Sequence, residues 1–181
     1  MVEAVAAHPA TILDTRKTAP GLRALDKWAV RLGGGENHRM GLYDQVLVKE
    51  NHVAAAGGID AVLDQVRAYL RETGRDLLVE IETRTIEEVE AVLAAAGADR
   101  ILLDNMAERR DDGTLETRRL ARAVDRIGER AETEASGNVT LDTVAEIART
   151  GVDFISSGVL THSVCALDLS LLLTNAPAPG D

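Results

Sequence analysis

The sequence predicts an α/β protein, an incomplete (open) β/α barrel of about six parallel strands. Short apolar runs alternate with longer segments whose apolar residues recur at helical spacing, which is typical of parallel sheets covered by helices. Aromatic residues make up only 2%, so the core must consist of Val, Ile, Leu and Ala. A complete barrel of eight units takes about 250 residues, more than the 181 present. A flat doubly wound sheet is the alternative, because alternation alone does not separate the two architectures.

The elements follow from the positions of the apolar residues and of the residues that break the pattern. Predicted strands cover 11–13, 46–48, 77–82, 101–103, 133–135 and 154–155. Predicted helices cover 2–7, 20–32, 59–70, 86–96, 120–127, 141–147 and 165–173. In the third strand, alternation places Glu80 and Glu82 on one face. Residues 176–181, with the sequence APAPGD, are predicted to be disordered.

The charge of the chain is uneven, which limits the class of partner. Residues 1–52 carry seven Lys or Arg against six Asp or Glu, and the rest carries thirteen against twenty-four. Such an acidic body would repel a phosphate backbone, so nucleic acid is not expected as a partner. The single cysteine, Cys165, excludes an internal disulfide, and no apolar run reaches the roughly 20 residues that span a bilayer. The N-terminus lacks the pattern of a signal peptide, so we expect a cytoplasmic protein without membrane contact.

Each predicted strand is followed by polar residues at its C-terminal end. In barrels and open sheets of parallel strands, ligands bind at this end. For any single strand a solvated loop is the simpler explanation, but six polar ends together favour a site. These ends are 14–17, 49–52, Glu82, 104–105, 136–138 and 157–158.

Two kinds of chemistry can be distinguished among these residues. Guanidinium binds carboxylate or phosphate through paired hydrogen bonds and ammonium adds a point charge, so the basic residues predict a small ligand with several anionic groups. The basic residues are Arg16, Lys17, Arg39 and Lys49. Glu82 and Asp104 offer hard oxygen ligands, and Mg²⁺ that also takes phosphate oxygens is often held by one or two carboxylates. The loops 136–138 and 157–158 can present backbone N–H groups to a phosphate, although a tight turn also explains their glycines.

The histidines near the basic residues do not indicate a zinc site. Only His38 and His52 lie near the basic residues, and no cysteine lies close to them in the sequence. For His52, a hydrogen-bonding role behind the site and direct contact with a ligand remain open. Trp28 lies on a predicted helix face, where packing is the expected role.

Several motifs together resemble the quinolinate phosphoribosyltransferase family, also called carboxylating nicotinate-nucleotide pyrophosphorylase. In chain order they are DTRKT-x-PG-LR, GGG-x-NHR-x-GL-x-D, L-x-K-E-NH, VEIE, LLDNM, EASGN and DFISSGVLTHSVCALDLS. The resemblance covers about residues 2–173. The combination is highly specific, although no single motif is.

The resemblance implies that quinolinate and phosphoribosyl pyrophosphate give nicotinate mononucleotide, CO₂ and pyrophosphate, with Mg²⁺, in NAD biosynthesis. By the same motifs, Glu82 and Asp104 would hold Mg²⁺ and the ribose hydroxyls, and would be catalytic together with Lys17 and Lys49. The quinolinate carboxylates would be bound by Arg16, Lys17, Arg39 and Lys49, with Thr15 and His38 beside them. The phosphate groups would be bound by Ser136, Gly137, Asn138, Ser157, Gly158 and Val159.

The resemblance also implies how the chain is organised. Residues 1–10 would be the end of a linking helix and 11–175 the barrel, while the family's N-terminal α/β domain would be absent. Because that domain caps the site of a neighbouring subunit in the family, we expect a homodimer or higher oligomer. Two alternatives remain: a related phosphoribosyltransferase of other specificity, for which nicotinate is one candidate acceptor, and an inactive fragment that binds phosphate ligands. The combination of Arg16, Arg39 and Lys49 favours a dicarboxylate over nicotinate.

Overall fold

The computed structural model of the chain describes residues 1–173. Within them, strands and helices alternate along most of the sequence. The strands are β1 (Thr11–Leu13), β2 (Val46–Val48), β3 (Val79–Thr83), β4 (Arg100–Asp104), β5 (Glu108–Arg109), β6 (Leu115–Glu116), β7 (Glu132–Ser136) and β8 (Phe154–Ser156). The helices are α1 (Val2–Val5), α2 (Arg23–Leu32), α3 (Glu50–Ala56), α4 (Ile59–Thr73), α5 (Ile86–Ala95), α6 (Arg118–Ile127), α7 (Val144–Ala148) and α8 (Val159–His162).

Six parallel strands form one sheet in the order β1-β8-β7-β4-β3-β2. From β2 to β8, each strand of this sheet lies beside the one before it in the sequence, and β8 then pairs with β1. This one-directional order belongs to a barrel, whereas a doubly wound sheet reverses direction at a switch point. Within the described residues, β1 and β2 do not pair, so the barrel is open between them. The predicted open barrel of six parallel strands is therefore confirmed, and the doubly wound alternative is wrong.

The two faces of the sheet differ in polarity. Residues that point outwards, such as Ile81 and Ile101, are fully buried against the helices and belong to the hydrophobic core. Alternate residues point into the barrel, and among them Glu80 and Glu134 are fully buried. Glu82 lies on the same inner face as Glu80, as the alternation predicts. The apolar core thus lies outside the barrel wall, whereas the interior contains buried charged side chains.

The C-terminal part of the sequence prediction is wrong. Residues 165–173 were expected to form a helix, but α8 ends at His162 and the described residues after it have no regular secondary structure. Leu167, Leu169 and Leu171 are 83–87% exposed. From Leu167 to Leu171 the leucines alternate with polar residues at a period of two, so a helix would not place them on a single face. The predicted disordered tail, 176–181, lies outside the described residues.

Helix α2 forms where the sequence predicts a helix, but its large apolar side chains are exposed and a lysine is buried instead. Leu25, Trp28 and Leu32 are 56–72% exposed, whereas Lys27 is 1% exposed. The expected packing role of Trp28 is therefore wrong within the described chain. Elsewhere, α3 and the β5–β6 hairpin are short elements that the sequence analysis missed. Among residues 1–173, no helix has both the length and the apolar character needed to cross a bilayer.

Candidate active site

Two adjoining cavities open at the C-terminal ends of the parallel strands. We call the first the arginine cavity, of about 300 Å³, because Arg16 and Arg39 line it. The second, of about 540 Å³, is the loop cavity, because the loops after β7 and β8 line it. Both cavities are lined by Thr15, Lys17, Lys49, Glu82, Asp104, Ser136 and Ser156. The strand ends therefore converge, as the sequence predicts.

Nearly all the predicted site residues line these cavities. In the arginine cavity they are Thr15, Arg16, Lys17, His38, Arg39, Lys49, Glu82, Asp104 and Ser136. The loop cavity adds Gly137, Asn138, Gly158 and Val159. Ser157 lines neither cavity, which departs from its expected contact with phosphate. Its hydroxyl donates to the carbonyl of Val139 at 3.0 Å and its backbone N–H to the carbonyl of Leu13 at 3.0 Å, so it joins elements behind the site.

A buried ion pair fixes Arg16 and Lys17 relative to His38 and Arg39. Asp14 directly follows β1 and pairs with Lys27 of α2, whose ammonium also donates to the carbonyl oxygen of His38 at 2.8 Å. Asp14 accepts two further hydrogen bonds, from the backbone N–H of His38 at 3.0 Å and from the side chain of Asn37 at 2.5 Å. Because Arg39 follows His38 directly, this network ties the loop of Arg39 to the end of β1, after which Arg16 and Lys17 follow.

The arginines of this cavity have unused hydrogen-bonding capacity. Arg16 Nε is buried and has no hydrogen-bond partner among the described residues. Arg39 donates to the carbonyl oxygen of Gln45 at 3.2 Å, and burial, together with the nearby charge of Arg16, lowers the pKa of its guanidinium. A buried donor without an acceptor is costly. An anionic group supplied by a ligand would satisfy Arg16 and offset the repulsion between the two arginines.

Three buried titratable side chains form a cluster at the arginine cavity, which two of them, His38 and Glu134, line. His38 Nε2 is 3.0 Å from Glu80 Oε2 and 3.5 Å from Glu134 Oε1. Burial raises the pKa of both glutamates to about 7 and lowers the pKa of His38. Their oxygen and nitrogen atoms lie close enough to ligate a metal ion, all within 4.8 Å. However, Arg100 and Arg39 also act on the cluster and oppose a divalent cation, so a proton retained by the glutamates is the better account of this arrangement.

The carboxylates of Glu82 and Asp104 line both cavities. Glu82 Oε2 lies 3.2 Å from Lys49 Nζ, and Asp104 Oδ1 accepts a hydrogen bond from the Ser136 hydroxyl at 2.6 Å. The guanidinium of Arg84 lies 3.4 Å from Glu82 and 3.9 Å from Asp104, so one cation reaches both carboxylates. This pair of oxygen donors beside an open cavity fits a Mg²⁺ ion that takes its other ligands from water and phosphate.

The glycines of the loop cavity allow the backbone to approach closely. Gly137 has a φ of +86°, and a Cβ atom there would collide with the side chain of Asn105. A Cβ on Gly158 would collide with the ring of His162. Glycine is required at position 137, where the positive φ and the collision act together, whereas at position 158 the His162 ring would have to move.

The sequence analysis missed part of the loop cavity. The lining residues that it did not single out are Arg84, Val139, Thr140 and His162, whereas Glu50, Asn51 and Asn105 lie at strand ends that it named without assigning them a role. Arg84 follows Glu82 by two positions, so it would have been included if the polar end of the third strand had been extended by two residues. His52 accepts a hydrogen bond from the backbone N–H of Lys49 at 2.9 Å and lines neither cavity, which favours its role behind the site.

Known proteins are similar to this chain over most of its length. Residues 1–172 match the family described as "Quinolinate phosphoribosyl transferase, C-terminal domain". The chain belongs to the quinolinate phosphoribosyltransferase family. A relative from Nicotiana tabacum, "Quinolinate phosphoribosyltransferase [decarboxylating] 1b", is 58% identical over 171 residues, which are 92% of this chain and 49% of the relative.

More distant members of the family show the same pattern of coverage. The probable carboxylating nicotinate-nucleotide pyrophosphorylase of Bacillus subtilis is 44% identical over 163 residues, 90% of this chain and 52% of its own length. The solved structure of the nicotinate-nucleotide pyrophosphorylase from Francisella tularensis has a TM-score of 0.81 and 38% identity, covering 93% of this chain and 55% of that one. The chain thus spans about half the length of the family members it matches.

Proposed function

We propose that the two cavities form the site of a phosphoribosyl transfer: quinolinate and phosphoribosyl pyrophosphate give nicotinate mononucleotide, CO₂ and pyrophosphate, a step of NAD biosynthesis. One observation carries the proposal. The basic side chains of Arg16, Arg39 and Lys49 line the same cavity as the carboxylates of Glu82 and Asp104. Family membership supports it, because the tobacco relative is named for quinolinate phosphoribosyl transfer.

The arginine cavity is the proposed site of quinolinate. Its volume of about 300 Å³ suits a single small aromatic ring with its substituents. Arg16 and Arg39 would bind the two ring carboxylates through charge-assisted hydrogen bonds, with Lys17, Lys49, Thr15 and His38 around them. Nicotinate, with one carboxylate, would leave part of this positive charge without a partner. A dicarboxylate is therefore the better acceptor for this cavity.

The loop cavity is the proposed site of the phosphoribosyl donor. The backbone N–H groups near Gly137 and Gly158 can bind phosphate oxygens, and Ser136, Asn138 and Val159 complete the lining. Glu82 and Asp104 would hold Mg²⁺ and accept hydrogen bonds from the ribose hydroxyls. When bound, Mg²⁺ would neutralise negative charge on the pyrophosphate group.

The chemistry follows from holding the two ligands side by side. Cations of the arginine cavity fix the pyridine nitrogen in line with the anomeric carbon, so the N–C bond forms as the bond to pyrophosphate breaks. Lys17 and Lys49 line both cavities and stabilise charge on the departing pyrophosphate, while the carboxylates of Glu82 and Asp104 stabilise the oxocarbenium-like ribose. The 2-carboxylate then leaves as CO₂. The electron pair of the broken C–C bond stays on the ring carbon beside the positive nitrogen. That carbon then takes a proton from water, in the place that the carboxylate held.

Calorimetric titration tests the proposed function directly. We expect the chain to bind quinolinate and, in a separate titration with Mg²⁺, phosphoribosyl pyrophosphate, whereas nicotinate should bind more weakly than quinolinate. Binding of phosphoribosyl pyrophosphate without any binding of quinolinate would instead indicate a domain that binds phosphate ligands. Equal affinities for nicotinate and quinolinate would indicate a transferase of other specificity.

We also propose that the chain assembles as a homodimer or higher oligomer and acts in the cytoplasm. Leu25, Trp28 and Leu32 on α2 support assembly, because they form an exposed apolar surface on a protein that is otherwise strongly charged. Light scattering of the purified chain tests this, and a monomer at all concentrations would contradict it. The compartment needs its own test, by imaging of a tagged protein, because the Arabidopsis thaliana relative is named as chloroplastic and a Nicotiana glauca relative as mitochondrial.

A further inference from the structure

Arg84 lies across the two carboxylates that we assign to Mg²⁺. Its Nη2 atom is 3.4 Å from Glu82 Oε1 and its Nε atom is 3.9 Å from Asp104 Oδ2, while Nη1 forms an ion pair with Glu50. The side chain lines the loop cavity and is 47% exposed. No motif in the sequence analysis gives Arg84 a role, yet it is the cation that bridges the acidic pair in this structure.

The backbone of Arg84 is fixed although its side chain is not buried. Its N–H donates to the carboxylate of Glu88 at 2.6 Å, and the next residue, Thr85, caps the start of α5. The residue is therefore held at the rim of the cavity. An exposed ion pair contributes little to stability, so moving the long side chain away from the acids costs little.

A divalent cation that bound both carboxylates would compete with the guanidinium of Arg84 for the same oxygen atoms. A guanidinium carries one positive charge, and Mg²⁺ carries two and binds carboxylate oxygens directly, so the metal is the stronger partner when it is abundant. Arg84 lines the loop cavity together with Gly137 and Gly158, so a displaced guanidinium would face the proposed phosphate site. Phosphate is a good partner for a displaced arginine, because its oxygens match the guanidinium fork.

We propose that Arg84 neutralises Glu82 and Asp104 in the ligand-free chain, and moves onto the pyrophosphate group of the phosphoribosyl donor when a divalent cation binds between them. The inference rests on the proposed function for the identity of the donor. Arg84 is thus both a competitor of the metal and a binding residue for the leaving group. Removing it should strengthen metal binding and weaken pyrophosphate binding, which are opposite effects of one substitution.

The first experiment measures Mn²⁺ binding by electron paramagnetic resonance, without any substrate. We expect Arg84→Met to bind Mn²⁺ about three- to tenfold more tightly than the unsubstituted chain. Arg126→Met is the matched control, because Arg126 forms a similarly exposed ion pair, with Glu90 at 3.1 Å, on α6 outside both cavities. It removes the same charge and should leave Mn²⁺ affinity unchanged. Adding Asp104→Asn to Arg84→Met should abolish the gain.

The second experiment measures pyrophosphate binding by calorimetry at saturating Mg²⁺. We expect Arg84→Met to weaken it about three- to tenfold and Arg84→Lys to weaken it less, because lysine keeps the charge but not the paired hydrogen bonds. Arg126→Met should again have no effect. Unchanged Mn²⁺ affinity in Arg84→Met, or unchanged pyrophosphate affinity, would overturn the inference. The Mn²⁺ measurement uses no quinolinate. Its result therefore tests the role of Arg84 even if the chain does not bind quinolinate and the proposed function is wrong.

Discussion

Lys27 and Asp14 form an ion pair in which the lysine is 1% exposed and the aspartate is fully buried. The pair joins the end of β1 to α2 and, through the hydrogen bonds to His38, to the loop that carries Arg39. Two charges at such depth are expensive to desolvate, and they are stable here because each makes additional hydrogen bonds. The positions of the cavity arginines therefore depend on residues that never reach the cavity.

Lys27→Met should lower the free energy of unfolding by about 3–5 kcal/mol, because it leaves the carboxylate of Asp14 buried without its counter-ion. The double variant Asp14→Asn with Lys27→Met should recover part of this loss, since neither charge is then buried. Urea denaturation measures both values.

The control for this pair is Arg126→Met, which breaks the exposed ion pair with Glu90. It should cost less than about 1 kcal/mol. A similar cost for Lys27→Met and Arg126→Met would contradict the role of the buried pair as a structural anchor.

Arg39→Ala should weaken quinolinate binding by about 2–5 kcal/mol, because a desolvated carboxylate would lose its charged partner. Phosphoribosyl pyrophosphate should bind this variant with nearly unchanged affinity, since Arg39 does not line the loop cavity. Calorimetry with each ligand separately distinguishes the two effects. If quinolinate affinity stays the same, Arg39 is not part of the acceptor site.

Gly137→Ala should weaken binding of phosphoribosyl pyrophosphate and destabilise the fold. Its φ of +86° is strained for alanine, and the new Cβ would also collide with the side chain of Asn105. Gly113 is a matched control with a φ of +83° and open space around the position of a Cβ atom, so Gly113→Ala carries the backbone strain alone, of about 1 kcal/mol. A loss of stability in Gly137→Ala no larger than in Gly113→Ala would show that the close approach to Asn105 is unimportant.

The stability of the wild-type chain should depend on the charge of Glu134. Burial raises the pKa of Glu134 from its ordinary value of 4.5 to about 7, so between these pH values the folded state binds more protons than the unfolded state. This contribution to stability is fully present below pH 4.5 and is lost as the pH rises through about 7. The lowered pKa of His38 changes stability with pH in the opposite sense, and Glu80, whose pKa is also raised to about 7, titrates over the same range. The quantity to compare is therefore the difference in free energy of unfolding between a Glu134 variant and the wild type.

Glu134→Gln should therefore gain about 1–3 kcal/mol relative to the wild type on going from pH 5 to pH 8. Denaturation at a series of pH values measures this difference. Glu132→Gln, on the same strand but half exposed, is the control and should show no comparable trend. A difference between Glu134→Gln and wild type that stays constant with pH would contradict the retained proton.

The barrel and most of its site were predictable because they follow from local patterns. Short apolar runs mark the parallel strands, and the polar residues after them mark the end at which Lys49, Glu82 and Asp104 meet. The alternation in β3 also sufficed to place Glu80 and Glu82 on the inner face.

The errors occur where tertiary contacts override the local pattern. Lys27 shares a helix side with Arg23 and Arg31 in the sequence, which suggests solvent, and only the position of Asp14 explains why it is buried. Ser157 resembles a cavity residue because it follows β8, yet its side chain is turned to the carbonyl of Val139. Residues 165–173 contain enough leucine for a helix, but the described chain provides no surface to bury them.

The central claim is that the cations and the acids serve one site, and a paramagnetic relaxation measurement tests it most directly. Mn²⁺ is added to the chain together with phosphoribosyl pyrophosphate and quinolinate. The relaxation of the quinolinate ring protons is then recorded by NMR, within a time shorter than one turnover. We predict strong enhancement that Asp104→Asn abolishes, because the metal would lie next to the acceptor. Quinolinate that binds without enhanced relaxation would place the two ligands at separate sites and contradict the account.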